Sequence, residues 1–366
     1  MSRTIQTLTL LATLCTGAAF AQHVYVQTAA GVTVFKTDMA KVGSYTVDGT
    51  LVGTNGKYLI TVDNTPGAPH LYSYEVSSSG VVGKEVSSYG LLNWSWWGGT
   101  AELSPNGENV YVSTIRGDYS LLNFSLSSTG KLAFQGIAAN INDSPLPAII
   151  GNGKFAYGFY NYCGSGGNGC DCGSPDEFVA LARESNGSLE GIAFSETDPI
   201  ASGLGNQYYP DGVITNDATN HLAVVVNVFN DGCEAPPYVN QLASYTVGSQ
   251  GDLVSTNTWE DMPAVTFSNT AIWPAPMTIN PAGNVLALAI GTGTQFFHFN
   301  GAKPITEFTG IVGTSGYIVS YAWNGDTLYA VNGASGKLHV YDVSTSKVVE
   351  AKGSPYSLGA LAVFVK

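Results

Sequence analysis

Six times along this chain a tight turn built on Asn-Gly, or a near relative of it, launches an apolar strand. The clearest copy is Ser104-Pro-Asn-Gly-Glu-Asn-Val-Tyr-Val-Ser-Thr, and Gly53-Thr-Asn-Gly-Lys-Tyr-Leu-Ile-Thr-Val repeats it. Gly151-Asn-Gly-Lys-Phe-Ala-Tyr-Gly, Asn280-Pro-Ala-Gly-Asn-Val-Leu-Ala-Leu and Trp323-Asn-Gly-Asp-Thr-Leu-Tyr-Ala-Val follow the same plan, with a degenerate copy at Asn216-Asp-Ala-Thr-Asn-His-Leu-Ala-Val-Val-Val. In each, the turn residues tolerate a positive φ that other residues resist, and the next residues alternate as a strand does. A second alternating strand follows, as in Leu71-Tyr-Ser-Tyr-Glu-Val, Leu121-Leu-Asn-Phe-Ser-Leu and Leu338-His-Val-Tyr-Asp-Val. A Ser/Gly turn, Ser77–Gly80 or Ser127–Gly130, leads into a further strand. Self-similarity at a fixed spacing constrains the fold more than any other feature, because each unit must bury its faces against its neighbours.

One unit is a four-stranded antiparallel sheet with strands a to d, which is the blade of a β-propeller. The turns near residues 55, 106, 152, 219, 282 and 324 give six blades. The ends supply a seventh. His23-Val-Tyr-Val-Gln-Thr reads as a strand b lacking its strand a, and Leu358-Gly-Ala-Leu-Ala-Val-Phe-Val-Lys reads as a strand a lacking its b. Joining them closes the ring and removes its open edge. A β-sandwich leaves these complementary halves unexplained. Residues 22–366 shared among seven blades give about 49 residues each, slightly long for four-stranded repeats. The expected fold is all-β, a seven-bladed propeller over residues 22–366.

Composition agrees. Forty-four glycines and 16 prolines are too many for a helical protein, and a formal charge of −13 excludes the basic footprint of a nucleic-acid binder. Residues 1–21 read as a cleaved export signal: Arg3, an apolar run Leu8–Leu14, then Ala19-Phe20-Ala21 before Gln22. That run is too short to span a bilayer, and no later stretch is long enough. The expected product is periplasmic or extracellular. Cys163, Cys170, Cys172 and Cys233 then form an even set, which an oxidising compartment favours as disulfides. A zinc site is the alternative reading, although paired C-x₂-C spacing and a nearby His are missing.

In a blade of this kind the a–b and c–d turns share one face of the disc, and the b–c and d–a loops share the other. The first set is short and stereotyped, so it reads as scaffold. The second is long and irregular, where binding residues concentrate. Two b–c insertions, Asn161–Glu177 and Phe229–Asn240, carry the cysteines on consecutive blades. Aromatic residues gather on the same face, with Trp96, Trp97, Tyr208, Tyr209, Trp273 and Tyr317 as candidate ligand contacts. Carboxylates join them, including Asp63, Asp118, Asp143, Asp171, Asp176, Glu177, Asp211, Asp231 and Glu234, with Arg116 as the lone expected cation. Such a mouth repels phosphate and suits neutral sugars, cations or Ca²⁺, with no metal or cofactor required. Packing between blades and ordinary solvated surface are the competing explanations for these residues.

Catalytic candidates are few. His70 opens a strand c beside the loop Asp63–Pro69 and is the histidine best placed to act as a base. Asp211 follows Tyr208-Tyr209-Pro210 on a strand a, and Arg116 is the candidate oxyanion stabiliser, with an ion pair to Asp118 as its alternative. No G-x-S-x-G, H-E-x-x-H or phosphate loop occurs.

The segment Ser104-Pro-Asn-Gly-Glu-Asn-Val-Tyr-Val-Ser, with Leu121–Leu126 and Ser128-Thr-Gly-Lys-Leu, resembles the seven-bladed propeller lactonase family that includes phosphogluconolactonase and carboxymuconate cyclase. The resemblance extends over nearly all of residues 22–366 and implies a lactone-hydrolysing activity. Family members carry His or Arg just before the turn strand. Here Trp96-Trp97-Gly98, Pro145-Leu146-Pro147, Tyr208-Tyr209-Pro210 and Trp273-Pro274-Ala275 stand there, so no catalytic residue carries over. Two functions follow as expectations. One is an exported lactonase-like hydrolase of a neutral lactone or sugar derivative; the other is a non-catalytic propeller that binds a glycan, peptide or partner protein.

Overall fold

The computed structural model describes residues 22–366 except 64, 66–67, 92–100, 117, 142–148, 151–152, 162–175, 193–206, 230–238, 269–274 and 314–315. The described residues form strands and turns, without a helix. Seven antiparallel sheets follow one another along the chain. Numbered from the first complete repeat, their inner strands are Thr50–Thr54, Ala101–Leu103, Ile149–Ile150, Gln207–Asn216, Met277–Ile279, Ile318–Asn324 and Ala360–Val365. Inner strands of adjacent blades touch around the ring, as Thr50–Thr54 does with Ala101–Leu103 and Ile318–Asn324 with Ala360–Val365. The chain is a seven-bladed β-propeller.

Why these segments form blades is visible in the b strands. In His23–Thr28, Val24 and Val26 pack into the core shared with blade 6, while Tyr25 between them packs toward blade 1. In Val285–Ala289 the odd positions feed the interface with blade 6, and Leu286 and Leu288 feed the one with blade 4. Successive side chains leave a strand on opposite faces. A strand sandwiched between two neighbours is therefore apolar throughout. The core is accordingly a circle of inter-blade layers rather than one central mass.

Polar links reinforce these layers. Tyr111, Tyr157 and Tyr329 each stand third in a strand b, and each donates its phenol O–H to a backbone carbonyl in the next blade's c–d turn. The acceptors are Gly187 at 2.5 Å, Gly251 at 3.2 Å and Thr37 at 3.1 Å. The c–d turns of blades 1 and 2 are built alike: Ser77 and Ser127 accept through Oγ from Val81 and Lys131 N–H at 3.1 and 3.0 Å. Gly130 in the second turn has φ +79°, and a Cβ there would collide with the Tyr58 ring of blade 1.

Ring closure is as expected. Ala360–Val365 pairs antiparallel with His23–Thr28 in the register Val24↔Val365, Tyr25↔Phe364, Val26↔Val363. His23 N–H donates to Lys366 C=O at 2.8 Å, and Lys366 N–H returns a bond to His23 C=O at 3.1 Å. Two short strands, Ala264–Val265 and Tyr356–Ser357, add to the c strands of blades 4 and 6 and were not foreseen from the repeat.

Candidate functional site

Seven inner strands border the channel, and their composition is specific. They contain two carboxylates, Glu102 and Asp211, and no Lys, Arg or His. Their ladders are also interrupted. Bulges fall between Leu51 and Gly53, between Pro210 and Ile214, between Ile318 and Ser320, and opposite Gln27/Thr28, where Leu361 is the extra residue. Leu361 is 55% exposed, an apolar group at the b–c/d–a end of the channel. An extra residue locally redirects a strand, and such bulges cluster beside functional sites.

Asp211 lies in the bulge of blade 4, where three residues between Pro210 and Ile214 oppose one between Val226 and Val224. Tyr208 and Tyr209 precede it on the same inner strand, paired in register with Val228 and Asn227. Arg116 ends the second strand of blade 2, opposite Asp118. His70 opens the third strand of blade 1; its Nδ1 lies 2.8 Å from the Ala68 carbonyl and its ring stacks on Tyr72, with centroids 5.7 Å apart. The three catalytic candidates thus occupy three blades, at the first, second and third strand out from the channel. Tyr317 immediately precedes the inner strand of blade 6. Its carbonyl accepts the Gly333 N–H at 2.9 Å, and its ring lies where a Cβ on Gly333 would be. Trp96, Trp97, Trp273, Cys163, Cys170, Cys172 and Cys233 lie outside the described residues, as do Asp143, Asp171, Asp231 and Glu234. Among the described residues no three of His, Cys, Asp and Glu converge as a metal site.

Two charged features escaped the sequence reading. Arg116 is not the lone cation of the b–c/d–a face, since Lys337 opens the third strand of blade 6 and Lys352 follows the outer strand, both exposed. Glu102 is the second feature. It sits on the inner strand of blade 2, in register with Tyr111 and close to the a–b turn that begins at Ser104. Its side chain keeps partial solvent access, but the surrounding protein pushes its carboxyl up to about 8 by desolvation. The sequence signal was an acid inside a three-residue strand otherwise made of Ala and Leu, two residues before the Ser-Pro-Asn-Gly turn.

The opposite face holds three described cavities, of about 440, 340 and 330 Å³. The first is lined by Asn55, Tyr58, Asn106 and Glu108 among others. Its polar groups are committed to the turns: Asn55 Oδ1 accepts from Lys57 and Tyr58 N–H, and Asn106 Nδ2 donates to Glu108 at 2.7 Å.

Fold and channel together define a seven-bladed propeller with an uncharged-to-acidic inner wall. Among solved structures the chain is similar to a putative 6-phosphogluconolactonase from Bacteroides fragilis, with a TM-score of 0.60 at 12% identity, covering 94% of this chain and 98% of that one. A second putative 6-phosphogluconolactonase, from Bacteroides uniformis, matches with a TM-score of 0.60 at 14% identity over 94% and 99% of the two chains. Hydrazine synthase from Kuenenia stuttgartiensis shares the architecture at a TM-score of 0.51 and 12% identity, over 89% and 91%. At these identities the likeness is one of fold. No family model matches the sequence, and no curated protein matches it.

Proposed function

We propose that this chain is an exported, lactonase-like propeller that takes an uncharged lactone or sugar derivative at its b–c/d–a face. The observation that carries the reading is the charge of the inner wall: two carboxylates and no cation on seven strands. A phosphorylated or otherwise anionic ligand meets repulsion there that a neutral one avoids. In hydrolysis, water adds to the lactone carbonyl carbon, the ring C–O bond breaks, and a hydroxy acid leaves. Asp211 and His70 take the acid–base roles and Arg116 faces the developing oxyanion. Trp96, Trp97, Tyr208, Tyr209, Trp273 and Tyr317 supply flat apolar faces with polar edges, suited to sugar rings. The export signal at residues 1–21 and disulfides among Cys163, Cys170, Cys172 and Cys233 complete the proposal; no cofactor is required, and an acidic rim of this type is compatible with Ca²⁺.

The test is a panel of uncharged and phosphorylated lactones presented to protein lacking residues 1–21. Turnover of uncharged members, lost in Asp211→Asn, supports the hydrolase. Binding without turnover, weakened by Trp96→Ala and Trp273→Ala but not by Lys347→Ala on the other face, supports the second reading, a glycan- or partner-binding propeller. Preference for the phosphorylated members overturns both.

A further inference from the structure

We propose that the seam where the two chain ends pair holds a binding site for a small aromatic carboxylate, on the a–b/c–d face of the disc. The site lies at the other end of the channel from the face argued above and does not depend on that reading.

It is the cavity of about 330 Å³, whose walls come from three consecutive blades. Trp323 stands near the end of the inner strand of blade 6. His23 and Tyr25 belong to the second strand of blade 7, with Val365 and Lys366 at the end of its inner strand. Lys57 comes from the a–b turn of blade 1. The charge of this lining is the first observation. In a chain of formal net charge −13, the described residues around the cavity include two lysines and no Asp or Glu. Lys366 reaches across the seam: its Cγ lies 3.7 Å from where a Cβ on Gly56 would be, so both lysines flank one turn of blade 1. Neither is in an ion pair among the described residues. A terminal carboxylate at Lys366 subtracts one charge and leaves the lining positive. A cleft lined by one sign of charge concentrates ligands of the other.

The second observation is an unused donor. Tyr25 holds the third position of its strand b, as Tyr111, Tyr157 and Tyr329 do, and each of those donates its phenol to the next blade's c–d turn. Tyr25 departs from that pattern. No described residue hydrogen-bonds its hydroxyl, although the residue is only 1% exposed and lines the cavity. A buried phenol O–H usually finds a partner. Trp323 Nε1–H is likewise buried and unpartnered. The third observation is the apolar wall that the Tyr25 and Trp323 rings and Val365 supply beside the lysines. Small-molecule pockets combine such walls with a few placed polar groups. A bare oxyanion leaves the rings uncovered, and a neutral ring leaves the ammonium groups without a counter-charge. A planar ring bearing a carboxylate answers both, its oxygens accepting from Tyr25 and the lysines while the ring lies against Trp323 and Val365. Such an occupant touches blades 6, 7 and 1 together, and a ligand that binds only the closed ring raises its stability.

The experiment titrates benzoate calorimetrically into protein starting at Gln22, with benzamide as the neutral isostere and inorganic phosphate as the bare oxyanion. One equivalent of benzoate should bind, raise the melting temperature and lose affinity as salt is added; benzamide and phosphate should bind markedly more weakly. Tyr25→Phe should weaken benzoate about tenfold, the worth of one hydrogen bond to a charged group, and Lys57→Gln about threefold, as befits an exposed charge. Tyr25→Phe removes no bond within the protein, so it should melt with the parent in buffer alone, and the exposed Lys57→Gln checks the site without touching the core. Absence of benzoate binding, benzamide or phosphate binding as tightly as benzoate, or a benzoate affinity unchanged in both variants overturns the proposal.

Discussion

Asp217 sits in the a–b turn of blade 4, 7% exposed, and gathers four donors. Its carboxylate accepts Thr219 N–H and Oγ–H at 2.8 Å each, His221 N–H at 3.1 Å and His221 Nδ1 at 2.8 Å. Burial raises its pKa, but the bonds from His221 and Thr219 together outweigh that and hold it below the usual carboxylate value. A group depressed in the folded state adds stability above its unfolded pKa and loses it as pH falls through the folded one. Asp217→Asn should cost about 2 kcal/mol near neutral pH, the range for bonds to a charged group. In denaturant titrations the gap between parent and variant should narrow as pH falls below the ordinary carboxylate value and through the depressed folded-state pKa of Asp217; a gap that stays constant into strong acid would refute the assignment. Gly130→Ala is the steric counterpart. It forces a Cβ into the Tyr58 ring at positive φ, and a loss of about 2 kcal/mol is expected in the same assay. Both residues were legible as turn chemistry. Glu102 was not legible as a perturbed acid, because its desolvation comes from the packed ring and not from its neighbours in sequence.

At the scale of strands, the Asn-Gly and Ser-Gly turns could be read from sequence because a positive φ is a property of one residue and its immediate neighbours. The bulges could not, since a register shift depends on what the partner strand offers. That is why Asp211 was found on the right inner strand while the bulge around it went unseen. The third-position tyrosines fall between these cases. Val-Tyr-Val was visible as part of the repeat, but the acceptor lies 76 or 94 residues on, in another blade. Tyr157→Phe should keep the ring packed and leave the Gly251 carbonyl without its donor. We expect a loss of about 1 kcal/mol by denaturant titration. An unchanged midpoint would show that water replaces the phenol. The cysteine-bearing b–c insertions make their own prediction. Intact-mass analysis of protein from an oxidising compartment should show two disulfides and no free thiol, with Cys233 joined to Cys163, Cys170 or Cys172. Stoichiometric zinc would select the alternative.

The whole molecule depends on one seam. Blade 7 takes its inner strand from Ala360–Val365 and its other three from residues 23–45, so the ring holds only while Val24, Tyr25 and Val26 stay paired with Val365, Phe364 and Val363. Val363 is fully buried in the core with Tyr329 and Val331 of blade 6, and the Ser320 hydroxyl accepts its N–H at 3.1 Å. Removing Leu358–Lys366 therefore does three things at once. It bares the backbone edge of His23–Thr28, uncovers apolar surface on blades 6 and 1, and leaves the inner strands of those blades without their shared neighbour. An exposed strand edge is a template for intermolecular pairing. Folded stability is usually only about 5–15 kcal/mol in total, which leaves little reserve against the loss of a strand. The truncated chain should elute as aggregate in size-exclusion chromatography and show no cooperative melt at the parent's temperature. Val363→Asp, which places one charge in the same layer, should move in the same direction without shortening the chain. If both variants remained monomeric and melted with the parent, the pairing of the two chain ends would not be what holds the ring closed.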